Sequence, residues 1–138
     1  MFANGFLVAT HIFADMAWIG SIATVGALIV KGGPGTLQSR AAIARWAYLR
    51  LAAPAFVVAF ITGLALLAAD PSHSLLKIPS MHVKLTLAAG VIGLHHWFGA
   101  LARRMATGDR QVPMNPIPLA LLLSAACGAA FLGVLKPF

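Results

Sequence analysis

The chain predicts an all-α, integral-membrane four-helix bundle, and three observations carry that expectation. Apolar residues make up 60 % of the 138 residues and charged ones only 9 %, too few to give a water-soluble globule a polar coat. The apolar residues gather in four stretches, near 5–30, 49–69, 83–102 and 117–135. Each is long enough to cross a bilayer as a helix, because about 20 residues at ~1.5 Å rise span a ~30 Å hydrocarbon core. Residues 1–138 then form a single transmembrane domain.

The first stretch has no basic region before it, runs longer than the apolar core of a signal peptide, and shows no small-residue cleavage pattern before Lys31. It is therefore expected to remain as the first span, stopped by Gly32-Gly33-Pro34-Gly35. Gln38 to Trp46 reads as a short helix lying on the membrane surface. The second span ends at Asp70-Pro71-Ser72, and the third opens with Met81-His82-Val83-Lys84. A loop from Thr107-Gly108-Asp109 through Pro113 leads to Asn115-Pro116-Ile117-Pro118, whose prolines suit the first turn of the fourth span. Small residues recur in all four spans (Gly20, Gly26, Gly63, Gly90, Gly93, Gly128), which lets helix backbones approach closely in lipid and is also compatible with a homo-oligomer. The single Cys127 has no cysteine partner and reads as a small packing residue of the fourth span.

A net charge of +7 raises nucleic acid as a partner, but the positions of the ten basic residues exclude it. Lys31, Arg40, Arg45 and Arg50 follow the first span, and Arg103, Arg104 and Arg110 follow the third. By the positive-inside bias these two connections are cytoplasmic, which puts both termini and the 70–82 loop on the non-cytoplasmic side. The partner that the charge predicts is membrane lipid.

Ionisable residues inside the spans are costly in hydrocarbon and mark candidate sites. His11, Asp15 and Trp18 are spaced i, i+4, i+7, so one face of the first span carries an imidazole, a carboxylate and an indole. Asp15, one turn from His11, is placed to hold the ring's second nitrogen or to relay a proton, or else to bond a neighbouring helix as a neutral carboxyl. In the third span His82 and His95 are 13 residues apart, ~20 Å of helix. With the first and third spans both entering from outside, His11 and His82 fall near the outer surface at similar depth, and His95 is level with Trp18. Two neutral imidazoles from different helices are a common way for a bundle to hold haem b, so His11 and His82 are the expected iron ligands, with His95 as an alternative. Trp18 would line the cofactor, and Lys84 is placed to pair with a propionate. Adjacent His95 and His96 point about 100° apart, so at most one faces a given cofactor. His73 lies in a loop.

These residues resemble the HemJ family of integral-membrane protoporphyrinogen IX oxidases, relatives of the CopD-like membrane domains. The resemblance covers nearly the whole chain: His11 followed by Trp18 and Gly20; Tyr48 with Pro54; Met81-His82-Val83-Lys84-Leu85 through His95 and Gly99 to Arg103-Arg104 and Gly108-Asp109; Asn115 with Pro118; and Lys136-Pro137-Phe138. It implies a four-helix haem b protein of the bacterial inner membrane that oxidises protoporphyrinogen IX to protoporphyrin IX and passes electrons to a quinone-type acceptor. His11 matches the family's first-span histidine; His82, Lys84 and His95 match polar positions of its third span. Asp15, Lys84 and His95 are then the candidates for catalysis. Three charged positions of the family pattern are Ala27, Ala100 and Pro116 here, while Asp15 and His96 are additional.

Two other classes remain open. A non-enzymatic membrane haem or electron-transfer protein needs only the paired histidines. A CopD-like copper-handling domain would use Met81, His82, His11 and Met16, since thioether and imidazole ligands suit copper.

Overall fold

The computed structural model describes residues 2–30, 34–70 and 75–135. Lys31, Gly32-Gly33, Pro71-Ser72, His73 and the closing Lys136-Pro137-Phe138 lie outside the described residues. The elements are α1 (Phe2–Ile29), α2 (Leu37–Ala47), a π-helical turn (Tyr48–Ala52), α3 (Ala53–Ala68), a 3-10 turn (Leu75–Lys77), α4 (Pro79–Ala106) and α5 (Ile117–Leu135). Gly5–Ile29, Leu37–Ala68 and Pro79–Ala106 are long and apolar enough to cross a membrane, and the shorter apolar Ile117–Leu132 packs beside α4. The protein is an all-α integral-membrane bundle, and the fourth span keeps its expected limits.

The second span differs from expectation. It does not begin at 49 after a separate surface helix; it runs without a break from Leu37 to Ala68. Thr36 starts it, its hydroxyl accepting the Ser39 amide at 3.2 Å. Ala41, Ala44 and Ala47 then form a buried stripe that seats α2 against α1 and α4, which is why this segment packs on the bundle. Pro54 lacks the N–H that would bond Arg50, so the helix would otherwise break here. The chain changes register just before it, the Ala53 amide reaching back five residues to the Tyr48 carbonyl. The third span is also longer than 83–102, because Pro79 is accepted in its first turn and the helix runs to Ala106.

The last carbonyls of α1 are satisfied from outside the helix. Arg40 Nη1 donates to Leu28 and Val30 at 3.2 and 2.8 Å, and the Met114 amide donates to Ile29 at 2.9 Å. Asn115 in turn caps α5 by accepting the Ile117 amide at 2.9 Å.

α1 is the central helix, packed on α3 along one side and on α4 and α5 along the other. It runs antiparallel to α3, with His11 against Gly63 and Trp18 against Phe56, and parallel to α4, with Trp18 bonded to His95 and Gly26 beside Phe98. Buried side chains concentrate in the half of the bundle that carries α2 and the arginines: Ile22, Val25, Ile29, Phe98, Leu101, Ala102 and Met105. In the other half, α3 and α4 have little direct packing, and aromatic rings bridge them. Cys127 is exposed on the outside of α5, contrary to the packing role expected of it.

Among the described glycines the tightest approach is Tyr48 on Gly99, where a Cβ would clash with the tyrosine ring. Gly99→Ala should therefore lower stability by roughly 1–3 kcal/mol, the usual range for overpacking a filled site. Thermal unfolding in detergent would register this as a clear drop in midpoint, whereas Gly90→Ala, where nothing lies within 4 Å, should leave it unchanged.

Candidate functional site

Two polar clusters lie along α1. In the first, His11 leans onto α3, where Gly63 leaves room: a Cβ there would be 3.0 Å from His11 Cε1. The Ala59 carbonyl can only accept, so His11 Nδ1 carries the proton and donates to it at 3.0 Å. The Thr62 hydroxyl, whose own proton goes to Val58 at 2.7 Å, accepts from the same Nδ1 at 3.1 Å. His11 Nε2 is thereby turned away from α3 and lies 3.4 Å from Asp15 Oδ2. The Asp15 side chain is 42 % exposed against 18 % for His11, and the Lys84 ammonium on α4 acts on it electrostatically. A carboxylate and an imidazole thus meet beside α3, within electrostatic reach of the Lys84 ammonium on α4.

The second cluster lies about two turns deeper. Trp18 Nε1–H donates to His95 Nδ1 at 3.1 Å, joining α1 to α4 at the shared level expected of these residues. The His95 ring is stacked on Tyr48 and packed at a tilt against Phe56, each 4.9 Å away by centroid. His96 meets it edge-on at 5.0 Å and reaches the surface of α4. His95 is completely buried, and its Nε2 has no hydrogen-bond partner.

An axial haem ligand needs a neutral imidazole with one nitrogen free and the other N–H held by an acceptor. His11 fits this description, with Nδ1–H on Ala59 and Thr62 and Nε2 on a long contact that another partner can replace. His95 is set the other way round, with Nδ1 as an acceptor. Indole can only donate, so Trp18 makes His95 Nδ1 the acceptor and puts the proton on Nε2, the nitrogen that would have to bind iron.

His82 is not brought opposite His11. It is exposed and turned back on its own helix, Nδ1 to the Ile78 carbonyl at 3.3 Å. Since His95 is level with Trp18, the two histidines differ by ~9 Å along the bundle axis at 1.5 Å per residue. The sequence argument placed both near one surface, but seven residues separate His11 from Trp18 and thirteen separate His82 from His95, which leaves His82 the farther out. The copper set is not assembled either: Met16 is 70 % exposed on the outer side of α1, and no group of three or more His, Cys, Asp or Glu converges among the described residues.

Sequence reasoning missed Tyr48, Phe56, Thr62 and Ala59 as builders of these clusters. Pro54 inside an apolar span was the available sign of a register change that aims Tyr48 and Phe56. Compared with known proteins, the chain matches no family model, no curated protein and no solved structure at a significant level.

Trp18→Phe keeps an aromatic ring but removes the donor that fixes the His95 tautomer. It should cost roughly 1–3 kcal/mol, the range for leaving a buried polar group unpaired. In 15N spectra of the imidazoles, His95 should change from one protonated Nε2 to a mixture of tautomers; an unchanged pattern would contradict the assignment.

Proposed function

We propose that this protein is a b-type haem-binding integral membrane protein of the HemJ type, which oxidises protoporphyrinogen IX to protoporphyrin IX. The observation that carries the proposal is the set of His11: an imidazole in a membrane-spanning helix, its Nδ1–H held by Ala59 and Thr62 and its Nε2 directed to the thinly packed side of the bundle. The resemblance in sequence points the same way.

Within this reading His11 is the ligand on α1, and Trp18 and Phe56 bound the cofactor's deeper edge. When bound, haem b supplies a one-electron redox centre inside the membrane. Asp15 holds or releases a proton beside His11 Nε2, and Lys84 offers a cation to an anionic side arm of the macrocycle. Opposite His11 the reading needs a second ligand or an open position, and His82 fills that role only if the start of α4 rearranges. The missing charges at Ala27, Ala100 and Pro116 bear on the reaction and leave haem binding untouched. The arginine-bearing end of the bundle is assigned to the cytoplasm, with a quinone-type compound as electron acceptor.

The test is an absorption spectrum of protein purified in detergent, before and after dithionite, followed by a porphyrinogen oxidation assay. A Soret band with reduction-dependent α and β bands and porphyrin formation is expected. Haem without turnover would reduce the assignment to an electron carrier, and colourless protein after haem addition would remove it. His11→Ala should abolish haem retention while the protein still inserts in the membrane. Asp15→Asn, which removes a negative charge beside His11, should raise the haem potential by on the order of tens of millivolts in a redox titration.

A further inference from the structure

His95 Nε2–H is a fully buried donor with no acceptor. Leaving such a group unpaired costs about 1–3 kcal/mol, so a native structure that keeps one usually keeps it for something. Rotating the problem away is not open to this residue. Trp18 locks the tautomer, Tyr48 and Phe56 both pack against the ring, and Tyr48 is itself held by Gly99 and the π-helical turn. The donor is aimed and cannot turn to find a partner.

We infer that His95 Nε2–H is the hydrogen-bond donor of a binding site for a carbonyl oxygen on an apolar ring compound of the quinone class, entering from lipid between α3 and α4. Three features choose the ligand. The donor is a neutral N–H in aromatic surroundings, which suits an uncharged carbonyl oxygen; an anion there would lose its hydration without a countercharge. The walls are ring faces and edges, from Phe56, Phe60, Tyr48 and His96, which suit a flat ring. The entrance lies between α3 and α4, whose backbones make little direct contact and where Phe60 and His96 are exposed. Binding at His95 does not depend on haem, although it gives the electron acceptor of the proposed function a place about two turns from His11.

The test uses the haem-free full-length protein in detergent with ubiquinone-1 as probe, read in two ways. Binding is followed by quenching of tryptophan fluorescence, and the carbonyl stretch of the bound probe by infrared difference spectroscopy. Saturable binding is expected, with one carbonyl band moved to lower frequency. His95→Phe keeps a flat ring against Tyr48 and Phe56 but has no donor. It should weaken binding about tenfold, the effect of one hydrogen bond of ~1.4 kcal/mol, and abolish the band shift. His95→Gln, which restores an N–H, should recover part of the shift, and circular dichroism confirms that each variant is folded. No saturable binding, as when an internal water satisfies Nε2–H, overturns the inference. So does equal affinity, or an unshifted band, in wild type and His95→Phe. The haem reading is judged separately by the Soret band, so either can fail alone.

Discussion

A single donor with no alternative organises the centre of this bundle. The Trp18 indole can only give its proton, and by giving it to His95 Nδ1 it joins α1 to α4, sets the level at which the two parallel helices meet, and decides which imidazole nitrogen carries hydrogen. A hydrogen bond to water or serine would have left that choice open. Once the tautomer is fixed, the two histidines of the bundle interior take opposite roles. His11 turns its Nε2 to a carboxylate, and His95 holds a proton among aromatic rings.

That cluster of rings depends on a defect in a helix. Pro54 denies Arg50 its partner, and the chain answers with one wide turn at Tyr48–Ala52. The extra residue rotates everything before it relative to α3, which lets the Ala41, Ala44 and Ala47 stripe face α1 and α4 while Tyr48 falls on Gly99. Ala41, Ala44 and Tyr48, spaced i, i+3 and i+7, already share one helix face, and the wide turn sets the angle at which that face meets the rest of the span. The same wide turn therefore builds the dense, arginine-bearing half of the bundle and supplies one wall of the His95 site.

The membrane class, the spans and the polar face of α1 were legible in the sequence because each follows from composition or from 3.6-residue periodicity. The pairing of Trp18 with His95 followed from depth alone, since both were counted from the same surface. What depth could not give was rotation. His82 lies off the level of His11 and is also exposed and turned back on its own helix, and Cys127 counted as a packing residue yet is exposed. In an apolar helix almost every face is hydrophobic, so the pattern that orients a helix in water is absent here, and orientation is set by contacts such as Tyr48 on Gly99 that no periodicity announces. Pro54 marked the site of the register change but not its direction.

The uneven packing of the bundle has an energetic reading. A charged side chain at the centre of a membrane helix costs about 2.5–3.5 kcal/mol on insertion scales, and Asp15 and Lys84 both lie within membrane-spanning helices. The protein could have buried them together under α3 and α4, yet the carboxylate keeps 42 % of its surface and the helices stand apart there. Closing the gap would have been the cheaper fold for a bundle with no ligand, because it removes polar atoms from lipid and adds packing at once. Asp15 instead stays near the outside of the bundle, beside an imidazole whose Nδ1–H is already held by Ala59 and Thr62.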